Sequence, residues 1–322
     1  MARYVVRRLF LGLITLWLVT VVVFLLLRVI VPLVYADVAQ IIVAQFGRQD
    51  PVLVHQLRQQ YGLDGNQLVQ YLKWLWQILH GDLGKSLYTG LPVMTEIRNR
   101  LPVSIELGLI GLLSAVCVSV PLGIVAALRQ DRWPDYTLRT LAIALNALPG
   151  FWLAILIITF GSIWFHWAPP LPRPFPYIWQ KPITHLEAIL LPALLVGLTP
   201  SAGLLRLMRT QMLEVMRQDY IRTARSKGLT SRRVIMRHAM RNSLLPIVTV
   251  IGLSLPALAA GTALYESIFT LPGMGQYLVT SVGKLDYPVI ESTNLIFAFL
   301  IIFANLAVDI CYPLLDPRIR YD

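Results

Sequence analysis

Leu9-Phe-Leu-Gly-Leu-Ile-Thr-Leu-Trp-Leu-Val-Thr-Val-Val-Val-Phe-Leu-Leu-Leu-Arg28-Val-Ile-Val-Pro-Leu-Val34 carries a single charge, near its far end. The hydrocarbon core of a bilayer takes about 20 apolar residues in helical form, so this run is long enough to cross it. Arg3, Arg7 and Arg8 precede it, as cations precede a secretion signal. A signal's apolar stretch is only about 7–15 residues and ends in a small-residue cleavage site, which is missing here. The run therefore reads as a retained first membrane helix.

Five further stretches read the same way: Leu101 to Leu128, Leu138 to Trp167, Leu186 to Leu207, Leu245 to Leu264 and Ser292 to Leu315. Only 14% of the 322 residues are charged, against roughly 25% in soluble domains. The expected fold is all-α: a polytopic membrane protein of about six transmembrane helices. An even number of spans puts both termini on one side.

The net charge of +11 invites a nucleic-acid reading, but the cations sit in short segments beside the apolar runs. Arg3, Arg7 and Arg8 precede the first span, Arg129, Arg132 and Arg139 separate the second and third, and Arg318 and Arg320 follow the sixth. The largest group, from Arg206 to Arg241, lies between the fourth and fifth. All fall on one face of a six-span protein, and the positive-inside rule makes that face cytoplasmic. Residues 35–100 are then outside, with an amphipathic stretch from Leu68 to Leu79 suited to an interfacial helix. Ala168 to His185 and Phe269 to Pro288, where Pro272-Gly-Met-Gly275 suggests a tight turn, are outside too. Cys117 and Cys311 fall within spans as small apolar side chains, and the five histidines show no metal-ligand spacing.

Between the fourth and fifth spans the chain reads Asp219-Tyr-Ile-Arg-Thr-Ala-Arg-Ser-Lys-Gly228-Leu-Thr-Ser-Arg-Arg-Val-Ile-Met-Arg-His238-Ala-Met-Arg-Asn-Ser-Leu-Leu-Pro246. Asp219 can cap a short helix whose Tyr220, Ile221 and Ala224 share a face. Gly228 suits the left-handed position beyond its end, with Leu229 folding back onto Ala224. Ser231 can cap a second helix. An anchor for anionic lipid would account for the charge, but it needs neither a glycine at a fixed turn nor an apolar face turned from the bilayer.

This segment resembles the cytoplasmic signature loop of binding-protein-dependent ATP-binding-cassette importer permeases. Alignment on Gly228 puts Arg222-Thr223-Ala224 at the signature's Glu-Ala-Ala. Ala224 and Gly228 match the general pattern, while Arg222, Thr223, His238 and Arg241 match the peptide and nickel branch. The likeness extends to Gly81-Asp-Leu-Gly-Lys-Ser86, Arg100-Leu-Pro-Val-Ser-Ile-Glu106, Glu266-Ser-Ile-Phe-Thr-Leu-Pro-Gly-Met-Gly275, Asp286-Tyr-Pro-Val-Ile290 and Asp316-Pro-Arg-Ile-Arg320. After the first span the branch has Gly-Asp-Pro where this chain has Val31-Pro-Leu-Val-Tyr35. The resemblance implies a type I importer transmembrane domain over 101–315, with an outer region within 1–100, a coupling loop at 217–243 and a cytoplasmic tail at 316–322. It implies Tyr220, Arg222, Thr223, Ala224, Gly228, Leu229 and His238 as the residues coupling to an ATPase. The implied partners are a second homologous permease, two cytoplasmic ATPase subunits and an extracytoplasmic binding protein, besides membrane lipids. The implied cargo is a di- or oligopeptide, with nickel and glutathione carried by sister members.

Gly84-Lys85-Ser86 ends like a phosphate-binding loop, but the required first glycine is Leu79. ATP and magnesium are therefore expected on partner subunits, with no cofactor, metal or catalytic residue on this chain. Neither hydrolase motifs nor the inverted repeats of a secondary transporter are visible. For a substrate path the candidates are Asn146, Pro149, Thr199 and Ser201, polar or backbone-freeing groups at membrane depth expected to face the bundle interior. Glu106 and Asp309, near span ends, are expected to be structural acids with partners.

Overall fold

In a computed structural model of the chain, residues 2–34, 39, 40, 43, 51–60, 65–172 and 174–315 are described. Their regular structure is helical, relieved by an isolated bridge between Lys85 and Pro92. Helix α1 (Ala2–Leu25) passes through a π turn, Leu26–Ile30, into Val31–Val34. After α2 (Pro51–Gln60) comes the amphipathic α3 (Gln67–Leu79), started by Asn66, whose side-chain oxygen accepts the Leu68 N–H at 2.9 Å. Tyr71 and Trp74 of α3 pack on Phe24 of α1, and the Thr20 and Tyr71 hydroxyls meet at 2.9 Å. Leu72, Trp76 and Leu79 on the same helix stay exposed.

The membrane helices follow. They are α4 (Val93–Leu128), α5 (Trp133–Ala147), α6 (Gly150–Phe165) and α7 (Pro182–Met216). Beyond the short α8 (Asp219–Ser226), a helix begins at Ser231–Arg233, passes through a π turn at Val234–Ala239 and continues as α9 (Met240–Gly261). Then come α10 (Ala263–Ile268), α11 (Met274–Lys284) and α12 (Tyr287–Leu315).

Four segments among the described residues are long and apolar enough to cross a membrane: Val6–Ile30, Val93–Leu128, Pro182–Met216 and Tyr287–Val308. The expected single span from Leu138 to Trp167 is instead two helices, α5 and α6, bent by 93°. Pro149 is the cause: it disfavours helical torsions at Leu148, which is extended at φ −101° and ψ 130°. Counted as one broken span, the pair makes five. The expected span from Leu245 to Leu264 falls largely on α9, whose 22 residues suffice in length, but its side chains at 255–261 lie outside the described ones. So does the tail at 316–322.

Contacts divide the described chain into two units, residues 2–101 with 277–306, and residues 102–276 with 307–315. In the first, Arg28 from the π turn of α1 meets Glu291 of α12, Nε to Oε1 at 2.9 Å, and Glu291 is 1% exposed. A π turn holds one residue more than a regular one and so re-aims the side chains it carries. Asp286, before α12, accepts the Ser86 hydroxyl at 2.5 Å and the Leu87 N–H at 3.1 Å. The lysine-serine loop that imitates a phosphate site is thereby a structural turn, its serine committed to a carboxylate.

In the second unit α4 and α7 approach closely through small residues, the device by which membrane helices maximise contact where lipid is as apolar as leucine. A Cβ added at Gly111 would lie 3.1 Å from the Ala193 carbonyl, and one at Gly123 would lie 2.9 Å from that of Leu205. Val103, Leu107, Ala154, Ile189, Ala193 and Phe269 fill the core beside this contact.

Candidate functional site

Helix α8 is a short helix between α7 and the helix that leads into α9, and its ends are built differently from the capping expected. Asp219 is the first helical residue; Gln218, extended at ψ 150°, is the N-cap and offers no side-chain bond. Thr230 likewise takes the cap position expected of Ser231. Both helices begin one residue early because the preceding backbone is already extended, and neither start depends on a side-chain acceptor. Asp219 instead lies in the first turn, where its charge opposes the helix dipole, fully exposed beside Arg222.

At the other end, Gly228 has φ +77° and its N–H reaches the Arg225 carbonyl at 2.9 Å, while the Leu229 N–H reaches that of Ala224 at 3.4 Å. These two bonds define a Schellman motif with glycine in the left-handed position. Its accompanying apolar contact is present, because Leu229 packs against the cluster that buries Ile221 and Ala224 with Met212, Val234 and Ala239. Two buried side chains, Ile221 at 0% and Ala224 at 7%, thus hold an eight-residue helix down. Its remaining surface, Arg222, Thr223, Arg225, Ser226 and Lys227, is exposed.

The structure separates the coupling residues expected from sequence. Tyr220 does not share the buried face of Ile221 and Ala224: it is 41% exposed and its hydroxyl accepts a hydrogen bond from the Asn242 amide at 2.7 Å. Arg222 and Thr223 face outward, Ala224 and Leu229 face inward, and His238 is half-buried within the π turn. The second basic helix is continuous with α9, so the Gly228 bend is joined directly to a long apolar helix.

A feature that sequence reading missed supports this platform from beneath. Arg209 on α7 grips Asp135 in the first turn of α5 through two bonds of 2.6 Å, and Asp135 is fully buried. Asp135 also accepts the N–H of Asp131, itself at φ +57°, at 3.0 Å. Such forked pairs fix orientation as well as distance. The sequence signal was Asp135, the acid at the start of an apolar stretch opposite an arginine-rich loop.

The proposed substrate-path residues are not one cluster. Asn146 and Pro149 are exposed at the α5–α6 corner, not turned into this chain's bundle as expected, because the 93° bend carries the corner outward. Ser201 is buried and donates its hydroxyl proton to the Leu198 carbonyl of its own helix at 2.6 Å. Thr199 is bonded to Tyr265 on α10, and these two hydroxyls crowd over Gly150, where any Cβ would collide with them. Glu106 has the partner expected of it: His185 Nε2 lies 2.8 Å away, and Nδ1 of the same ring donates to the Pro176 carbonyl at 2.8 Å. The Asp309 side chain lies outside the described residues. Pro272-Gly-Met-Gly275 proves to be the entry to α11, whose Gly275 and Gln276 N–H groups are capped at 2.7 and 3.1 Å by buried Glu266.

Residues 119–321 match the family described as the binding-protein-dependent transport system inner membrane component. Residues 1–108 match its companion N-terminal membrane-component family. The chain belongs to the binding-protein-dependent transport system inner membrane component family. It is 40% identical over 272 residues to a putative peptide transport system permease of Brucella abortus, covering 84% of this chain and 86% of that one. It is 38% identical over 287 residues to the dipeptide transport system permease of Escherichia coli, covering 83% and 85%. The oligopeptide transport system permease of Bacillus subtilis matches at 38% over 267 residues, covering 83% and 84%. The protein is accordingly a multi-pass membrane protein of the permease class.

Proposed function

We propose that this chain is one of two membrane subunits of an importer for di- or oligopeptides, handed its cargo by an external binding protein and driven by two cytoplasmic ATPases. The cargo follows from the three relatives, each of which is named for peptide transport. ATP and magnesium belong to the partner subunits, and this chain binds no cofactor. Both termini and residues 217–243 lie in the cytoplasm of the cell's inner membrane, and residues 35–100 lie outside.

The observation that carries the reading is α8, a short helix whose outer surface is left open while its stance is set by a left-handed glycine and two buried side chains. A partner that grips its exposed face moves the bend, and the bend is continuous with α9. Force delivered at α8 therefore reaches a membrane helix without passing through a flexible linker. Coupling between two sites requires such an element, one whose position both sites bias.

Two tests follow. In a background with Cys117 and Cys311 replaced by serine, an impermeant thiol reagent applied outside should label Gln67→Cys and spare Ser231→Cys in intact cells. The reverse pattern would sink the topology. The isolated chain should neither bind nor hydrolyse ATP, whereas the assembled complex should do both; stoichiometric hydrolysis by the chain alone would overturn the division of labour.

A further inference from the structure

Behind α8 lies a cleft of about 610 Å³, within the roughly 300–1,000 Å³ typical of ligand sites. Its rim carries Arg132 from the α4–α5 turn, Arg217 from the end of α7 and Arg225 of α8, and its floor includes Ala127, Leu213 and Val234. No lining residue is acidic, and none of the three guanidinium groups is in an ion pair among the described residues. Ser231, at the start of the helix leading into α9, also borders the cleft, and Thr230 before it supplies no side-chain cap. The opening turn of that helix thus adds partial positive charge on the same side.

Three unpaired cations around an apolar floor fit an anionic amphiphile better than a small ion. The cleft lies at the ends of α4 and α7, both long enough to span a membrane, and on the proposed topology these are their cytoplasmic ends. Basic pockets between membrane helices on that side hold anionic headgroups.

We propose that the Arg132–Arg217–Arg225 cleft binds the phosphate of one anionic phospholipid, which bridges α8 to the ends of α4 and α7. The inference rests on the inside placement of residues 217–243. A phosphate held by all three guanidinium groups ties Arg225 of α8 to Arg132 and Arg217, so α8 becomes stiffer when the lipid is present. Arginine suits the task because its planar fork meets phosphate oxygens in pairs.

The test counts lipid by native mass spectrometry on the purified full-length chain, with its partner subunits where they co-purify, after detergent exchange against phosphatidylglycerol, phosphatidylcholine or inorganic phosphate. Wild-type protein should retain one phosphatidylglycerol per chain and no phosphatidylcholine. Arg132→Gln/Arg225→Gln should bind it roughly 30-fold more weakly, from about 1 kcal/mol for each cation lost. Arg232→Gln/Arg233→Gln removes two cations of the same segment that do not line the cleft, and should keep the lipid. Arg132→Lys/Arg225→Lys should keep it within a few-fold, which provides a folded variant if the glutamine pair is unstable. Equal loss in the Arg232/Arg233 variant would overturn the site in favour of diffuse surface charge. Equal retention of phosphatidylcholine, or displacement by inorganic phosphate at comparable concentration, would overturn the lipid assignment. The count needs neither ATP nor peptide, so a failed importer reading leaves it intact, and a failed count leaves that reading intact.

Discussion

Gly228→Val should abolish peptide uptake while leaving the chain inserted in the membrane at wild-type level. The position is unusually clean for such a test. A Cβ added there meets nothing within 4 Å, so the substitution introduces no clash and acts through the backbone alone. At φ +77° a β-branched residue is strained, by roughly 1–3 kcal/mol. The bend can relieve that strain only by leaving the left-handed region, which breaks the Gly228 and Leu229 hydrogen bonds and lifts Leu229 off the Ile221–Ala224 cluster. Membrane insertion is set by long apolar helices elsewhere and should not respond. The assembled complex should show weakened ATPase association or ATP hydrolysis that no longer depends on substrate. Uptake assays beside quantitative membrane blots provide the measurement, and wild-type transport by Gly228→Val would leave the coupling role of this loop without support. A lipid anchor alone would tolerate the change.

Arg209→Ala is expected to have the largest effect on stability. Its removal leaves Asp135, fully buried, without its forked partner, a loss of roughly 3–5 kcal/mol in comparable pairs. The double variant Asp135→Leu/Arg209→Met removes both charges and should recover most of that loss, because desolvation of the pair is itself costly. The fraction of protein that survives a heat challenge as a monodisperse peak in detergent distinguishes the two. If Arg209→Ala were as heat-resistant as wild type, the pair would have no structural role. If the double variant were as fragile as the single one, geometry rather than charge balance would be what the pair supplies.

The membrane class and the Gly228 bend were legible because each rests on a one-dimensional signal. Apolar length needs no partner to be recognised, and a glycine followed by leucine after a short polar helix has few alternatives. The broken span was less legible: Pro149 was visible as a perturbation, but its neighbour Gly150 is what lets Tyr265 and Thr199 close over the corner, and that contact joins residues about fifty to one hundred and fifteen apart. The cap residues were misplaced by one because Asp219 and Ser231 are stronger caps by type than Gln218 and Thr230, whose extended backbones decided the matter. Asp135–Arg209 and Arg28–Glu291 were missed for a common reason. An ion pair between distant helices leaves no spacing pattern, only two charges that each look misplaced.

The Arg28–Glu291 pair also sets an order of events during synthesis. Its partners are 263 residues apart, and at roughly 5–20 residues per second the ribosome needs tens of seconds to reach the second after the first. Throughout that interval α1, already in the bilayer, holds a guanidinium with no carboxylate to meet it, and the long arginine stem must keep that charge among the headgroups. Only the arrival of α12 lets the charge settle into place.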